Sequence, residues 1–319
     1  MGAYLVRRLL LIIPTLVFVT MLVFLLVRFI PGSVIEVMEA QQRAAGTEEA
    51  LNREQILALL GLDKPIFVQY GLWVADIFQG NLGESVWSGK EVTESLKDRI
   101  PISFELGILG LIIGQLVAIP VGILSAIRQD TIQDYLSRTA AILFMCIPSF
   151  WLGTIVMIYP AIWWQWSPPM EYIPFIENPL GNLGMFIIPA AVLGLHAAGT
   201  TMRMTRTMML EVLRQDYIRT AWSKGLKEKV IVLRHAIKNA LIPVITMIGM
   251  QVPILVGGTV VIEQIFNLPG MGRLMLDALN SRDYPIVSGV NLFIACFVLV
   301  VNLLVDLTYS WLDPRIRYR

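Results

Sequence analysis

Six stretches of the chain are apolar for long enough to cross a membrane as helices. A helical span needs about 20 mostly apolar residues to cover about 30 Å of hydrocarbon, because without water every backbone N–H must be satisfied inside the segment. By that measure the spans run from Leu9 to Ile30, Ile102 to Ile127, Ala140 to Trp163, Met185 to Met202, Leu241 to Ile262 and Val287 to Trp311. The first comes directly after Arg7-Arg8. Its apolar run exceeds the roughly 7–15 residues of a signal-peptide core and lacks a small-x-small cleavage site after it, so it reads as a retained helix. The predicted architecture is all-α and polytopic.

Two long polar segments interrupt the spans. Residues 31–100 carry a short helical pattern around Arg53 to Leu60 and turn residues at Gly80-Asn81-Leu82-Gly83. They read as a folded loop, neither low-complexity nor Ser/Pro-rich. The chain then divides into a tail and first helix (1–30), a loop domain (31–100) and a five-helix core (101–319) containing the second polar segment, 203–240.

Composition sharpens this picture. Of 319 residues, 56% are hydrophobic and 15% charged, whereas a soluble domain is roughly half apolar and about a quarter charged. A soluble enzyme is therefore disfavoured. The net charge of +1 argues against a nucleic-acid partner, but its distribution is more telling. With the N-terminus inside, the cytoplasmic pieces hold 16 of the 25 basic residues and the external loops 8. The excess of bases on cytoplasmic loops then places both termini in the cytoplasm and residues 31–100 outside. Segment 203–240 has nine bases against three acids, while 31–100 has six against eleven. Two cysteines, Cys146 and Cys296, lie in apolar stretches, and His196 and His235 are the two histidines. Neither a disulfide framework nor a resident metal or other cofactor is expected from so few such residues.

The internal segment reads as helix, glycine turn, helix. Met209, Leu213, Tyr217 and Ala221 form a row at fourfold spacing, and Gly225 suits the left-handed position after a helix end. A second pattern sets Val230, Leu233, Ile237 and Leu241 on one side, with Lys227, Lys229, Arg234 and Lys238 on others. Such a hairpin suits either of two surroundings. It can lie on the membrane with its bases toward lipid phosphates, or it can dock on a partner.

Several other features invite functional readings. The run from Gly83 to Glu91 approaches a phosphate-binding loop, but it has one residue too many before Gly89-Lys90, and Glu91 replaces the hydroxyl that would hold magnesium. Any ATPase must then be another chain. Ionisable groups in or beside spans are Arg28, Glu105, Glu263 and Asp306; all lie near span ends, where snorkelling or a local ion pair is expected. His196, Met202 and Gln251 are candidates for lining a pathway, with core packing as the competing account. Pro14, Pro120, Pro148, Pro189 and Pro253 can kink spans, and Gly110 with Gly114 suits close helix packing.

The internal segment, read as Asp216-Tyr217-Ile218-Arg219-Thr220-Ala221, then Lys224-Gly225-Leu226 and Leu233-Arg234-His235-Ala236, resembles the EAA loop of ABC importer membrane subunits. It is most similar to that of the dipeptide and oligopeptide permease B subunits. The leading Glu-Ala of the general pattern is Arg219-Thr220 here, and Pro243 lies eighteen residues after Gly225; both departures fit the peptide branch. Further similarity runs through Tyr4 to Leu10, Leu60 to Ile66, Gly80 to Ser85, Glu263 to Gly272 and Asp313-Pro314-Arg315, so it covers the whole chain.

The resemblance implies a type I ABC importer transmembrane-domain fold in a bacterial or archaeal inner membrane. It also implies a homologous second permease, two cytoplasmic ATP-binding subunits and an external substrate-binding protein. Asp216, Tyr217, Arg219, Thr220, Ala221, Lys224, Gly225 and Leu226 would form the ATPase-coupling element. The implied cargo is a peptide, with glutathione, nickel complexes and oligosaccharides also found among such systems. An ion-coupled carrier is the alternative, and the missing row of intramembrane acids argues against it. An intramembrane enzyme would need convergent catalytic groups, and no such spacing is present.

Overall fold

Long apolar runs become helices because the backbone donors are then satisfied along the segment itself. The computed structural model describes residues 2–29, 63–169, 171–257 and 259–312. Its helices are α1 (Gly2–Phe29), α2 (Ile66–Phe78), α3 (Val92–Ile127), α4 (Ile132–Cys146), α5 (Ser149–Trp164), α6 (Pro179–Leu213) and α7 (Asp216–Ser223). A short α8 (Glu228–Val230) runs through a π-helical turn (Ile231–Ala236) into α9 (Ile237–Gly257), and the chain continues through α10 (Val260–Ile265), α11 (Met271–Ser281) and α12 (Tyr284–Leu312). The only β pairing among the described residues is an isolated bridge between Glu84 and Glu91, so the chain is all-α. The helix expected at Arg53 to Leu60 lies outside the described residues.

Five helices are long and apolar enough to cross a membrane, and α4 with α5 makes a sixth crossing if the bent pair counts as one. The predicted continuous third span is therefore corrected: α4 and α5 meet at 94°. Ile147 is extended (φ −75°, ψ 120°) and Pro148 caps α5 without entering it. Proline disfavours the helical conformation of the residue before it and offers no N–H to the preceding turn. Pro14, Pro120, Pro189 and Pro253, by contrast, sit inside continuous helices.

Helix ends also move. α3 begins at Val92 rather than Ile102, and α6 continues to Leu213, well past Met202. Hydropathy marks where hydrocarbon ends, whereas Glu, Lys, Arg, Met and Leu continue a helix into water at little propensity cost. The predicted fifth span reaches Ile262, but α9 stops at Gly257 and Ile262 belongs to α10.

The chain forms two compact units. In the first, made of residues up to Pro101 and Arg273–Leu299, α1 packs on α2. Phe24 meets the Tyr70 ring edge-on at 5.4 Å, and the Arg28 guanidinium lies 3.9 Å over the Phe24 ring. Arg28 also donates through Nε to Gln69 Oε1 at 2.9 Å. Among the described residues its charge is met by an aromatic face and an amide. In the loop from Gly80 to Glu91, the Trp87 and Ser88 amides donate to Ser85 Oγ, and the Gly89 amide donates to Ser85 O. Donors that a phosphate cradle would turn on a ligand are spent inside the loop. Ser85 Oγ donates in turn to the buried Asp283 carboxylate at 2.5 Å, and Trp87 Nε1 donates to Ser281 O at 2.8 Å.

In the second unit, Ile102–Gly272 with the end of α12, α6 packs against α4, α5 and α9. Its cap is explicit: Asn178 accepts from the Gly181 amide, and Pro179 begins the helix, where its missing N–H is not needed. Gly110 and Gly114 of α3 face Gly194 of α6 so closely that a Cβ on Gly114 would stand 2.6 Å from the Gly194 carbonyl oxygen. The expected small-residue contact exists, and Gly194 is the partner that makes it. Phe186, Leu106, Met185, Ile262 and Leu268 fill the core beside it.

Candidate coupling surface

The chain leaves α6 at Leu213, turns through Arg214 and Gln215, and starts α7 at Asp216. An acid in the first turn complements the positive end of the helix dipole. Thr220 Oγ1 donates to Asp216 O, and Ser223 Oγ donates to Thr220 O, each at 2.9 Å. Gly225 then adopts φ +75°. Its amide donates to Trp222 O at 2.9 Å and that of Leu226 to Ala221 O at 3.4 Å, the paired bonds of a Schellman ending.

The predicted row Met209-Leu213-Tyr217-Ala221 is not one helical face. The break at Arg214-Gln215 rotates α7 relative to α6, so Tyr217 is exposed and Ile218 is fully buried beside Ala221. Both buried residues enter a core cluster with Met209, Ile231 and Ala236. Tyr217 is nevertheless held, because Asn239 Nδ2 donates to its hydroxyl at 2.8 Å. The second pattern shifts as well: Val230 and Leu233 are exposed, while Ile231, Val232, Ala236 and Ala240 are buried. A π turn winds more residues per turn than an α-helix, so a 3.6-residue register read through it points to the wrong face.

The result is a short, buttressed helix with an amphipathic outer surface. Tyr217, Trp222, Leu226, Val230 and Leu233 supply exposed apolar area. Arg219, Lys224, Lys227 and Lys229 are exposed among them, with Arg219 loosely paired to Asp216 at 3.4 Å. Of the eight predicted coupling residues, Ala221 faces the core and the other seven are exposed.

Behind this surface lies a feature that sequence reading missed. Asp134, fully buried in the first turn of α4, accepts Nε and Nη2 of Arg206 on α6, both at 2.7 Å. It also accepts Ser125 Oγ from α3 at 2.5 Å and the Asp130 amide at 3.0 Å. One carboxylate thus ties the ends of three helices together. Its ion pair joins residues 72 positions apart, beyond the reach of any spacing rule.

The pathway candidates are not brought together. Met202 is buried with Ala118, Ala141 and Ala198, and His196 is exposed. Gln251 Nε2 donates to Thr201 Oγ1 at 3.2 Å, and Gln115 Nε2 donates to Gln251 Oε1 at 3.4 Å, which forms a small polar cluster inside the unit. Glu263 does not snorkel. It is fully buried and accepts Ser103 Oγ at 2.6 Å, and that hydroxyl receives the Met271 amide at 2.8 Å. Gly270 packs directly on the Glu263 carboxylate, where a Cβ has no room. Glu105 is half-buried, and Asn182 Nδ2 approaches it at 3.4 Å.

Comparison with known proteins agrees with this architecture. Residues 118–318 match the model of the binding-protein-dependent transport system inner membrane component, and residues 1–107 match its N-terminal companion. A peptide transport system permease protein of Brucella abortus is 39% identical over 318 residues, covering 100% of both chains. The dipeptide transport system permease protein DppB of Escherichia coli is 38% identical, with 99% of each chain covered. The oligopeptide transport system permease protein AppB of Bacillus subtilis is 37% identical over 100% of both. Among solved structures, an inward-facing MetNI methionine ABC transporter superposes with a TM-score of 0.54 at 14% identity, covering 69% of this chain and 97% of that one. The fold is that of ABC importer transmembrane subunits.

Proposed function

Because the chain belongs to the binding-protein-dependent transport system inner membrane component family, we propose that it is the permease subunit of an ATP-driven peptide importer, coupled to its ATPase through α7. Full-length similarity to dipeptide and oligopeptide permeases supports the peptide cargo. The observation that carries the coupling assignment is α7 itself. It is exposed on one side, seated on the core by Ile218 and Ala221 on the other, and closed by Gly225.

In this reading a homologous second permease completes the pathway, and two cytoplasmic subunits hydrolyse ATP. An external binding protein delivers the peptide to the side bearing residues 31–100, the proposed loop domain, and both termini are cytoplasmic. The exposed face of α7, with Trp222 and Leu226, inserts into the ATPase while basic residues around it meet acidic ones. Ile218 and Ala221, together with the Asn239–Tyr217 bond, join α7 to the end of α6 and the start of α9. A displacement of α7 then moves both helices as a body instead of bending a loop. His196, Met202 and Gln251 remain the proposed pathway-lining set, to which the Gln251 cluster adds Gln115 and Thr201.

The test is reconstitution of the permease pair with its ATPases and binding protein, and measurement of peptide-stimulated ATP hydrolysis. Trp222→Ser with Leu226→Ser changes exposed side chains only, so the fold should survive. A central aromatic anchor at an interface contributes about 2 kcal/mol, so ATPase affinity should fall roughly thirtyfold and stimulation should disappear. Unchanged coupling in this variant rules out α7 as the coupling element.

A further inference from the structure

A cavity of about 370 Å³ is lined by α4 and α6 and reaches Arg206 of the Asp134–Arg206 pair. Its chemistry is graded along both helices. On α4 it passes from Ser137 and Arg138 to Ile142 and Met145; on α6 it passes from Thr207 and Arg203 to Met202. The chain directions of α4 and α6 place the basic ends together and the apolar ends together. The three lining arginines are not equivalent. Arg206 is neutralised by the buried Asp134, whereas among the described residues neither Arg138 nor Arg203 has a carboxylate partner, and both are exposed. Arg138 lies over the Tyr135 ring, at 5.7 Å.

Two such cations beside an apolar wall match a molecule with an anionic head and a hydrocarbon tail. We propose that this cavity is a binding site for the phosphate headgroup of an anionic phospholipid, held by Arg138 and Arg203 with its first acyl carbons against Ile142 and Met145. Basic pockets between spanning helices on the cytoplasmic side are suited to such headgroups, and the volume lies in the range of roughly 300–1,000 Å³ usual for small-molecule sites. Arg206, held by Asp134, is part of the lining, so an occupied cavity would clamp α4 to the part of α6 that leads to α7. The assignment rests on the proposed membrane orientation for its placement at one leaflet, and is independent of the ATPase assignment.

The test uses the chain with its co-purifying subunits, in phosphatidylcholine nanodiscs with or without phosphatidylglycerol. Phosphatidylglycerol retained after mild detergent release is counted by native mass spectrometry. Wild type should retain it in excess over phosphatidylcholine, and Arg138→Gln with Arg203→Gln should cut that excess roughly thirtyfold. Arg138→Lys with Arg203→Lys, which keeps both charges, should retain most of it. Equal retention by the wild type and the double-Gln variant overturns the proposal. A second arm adds millimolar inorganic phosphate in detergent without phosphatidylglycerol. If phosphate alone raises the melting temperature as much as the lipid does, through Arg138 and Arg203, the ligand is a free anion and the lipid assignment is overturned. Neither readout uses ATP or transport, so failure here leaves the coupling assignment standing, and the converse holds.

Discussion

Asp134 and Gly225 show how single residues set the geometry behind and within the proposed coupling surface. Asp134 is fully buried with four hydrogen bonds, two of them from Arg206. Removing one member of a buried pair leaves the other uncompensated, at a cost of about 3–5 kcal/mol. Arg206 keeps some exposure, so Asp134→Asn should cost about 3 kcal/mol, seen as a lower melting temperature in detergent. Asp134→Leu with Arg206→Met should recover most of that loss, because an apolar replacement of a buried pair is often neutral. At Gly225 a Cβ would meet nothing within 4 Å, yet φ is +75°. Strain there is purely conformational, about 1–2 kcal/mol for an L-residue. Gly225→Ala should lower the melting temperature, and Gly225→Asn should lower it less, since Asn tolerates the left-handed region; equal stability of all three contradicts the Schellman ending. Gly225 is legible from sequence because a local backbone rule identifies it. Asp134 is not, because its partners come from two other helices and from the turn before its own.

At the scale of elements, the α3–α6 contact depends on glycine on both sides. A Cβ on Gly194 would collide with the Gly110 carbonyl oxygen, whereas one on Gly184, on the same helix, would meet nothing within 4 Å. Gly194→Ala should therefore force the helices apart and lower the melting temperature, while Gly184→Ala should raise or preserve it, alanine being the better helix former by about 1 kcal/mol. Thermal melting of the two variants side by side separates packing from propensity. The same scale explains where periodicity fails as a guide. Each of α4–α5, α6–α7 and α8–α9 contains a local break: Pro148, Arg214-Gln215 and the π turn. A pattern counted across a break assigns correct residue types to the wrong face, and so puts Tyr217 and Val230 where Ile218 and Ile231 belong.

At the scale of the molecule, topology is the property open to a direct check. After replacement of Cys146 and Cys296 by serine, a membrane-impermeant maleimide should label Ser88→Cys in intact cells and Lys224→Cys only after permeabilisation. Both positions are exposed in the structure, so in cells that express the permease pair without its ATPases access is governed by the membrane alone. The reverse pattern inverts the proposed orientation, and with it the assignment of residues 203–240 to the ATPase side.

The sequence by itself determined that the chain is an all-helical membrane protein, roughly where its spans lie, and that the polar segment containing Lys224-Gly225-Leu226 is basic. Those properties rest on hydropathy, charge count and backbone preference, which act over at most a few tens of residues. The tertiary structure alone decided that the third crossing is broken by 94° and that Ile218 rather than Tyr217 seats α7. It also decided that Glu263 is enclosed and that Asp134 joins three helix ends. These outcomes depend on which distant backbones and side chains meet. The energy of such contacts comes from burial and pairing between segments, and no periodicity within one segment records it.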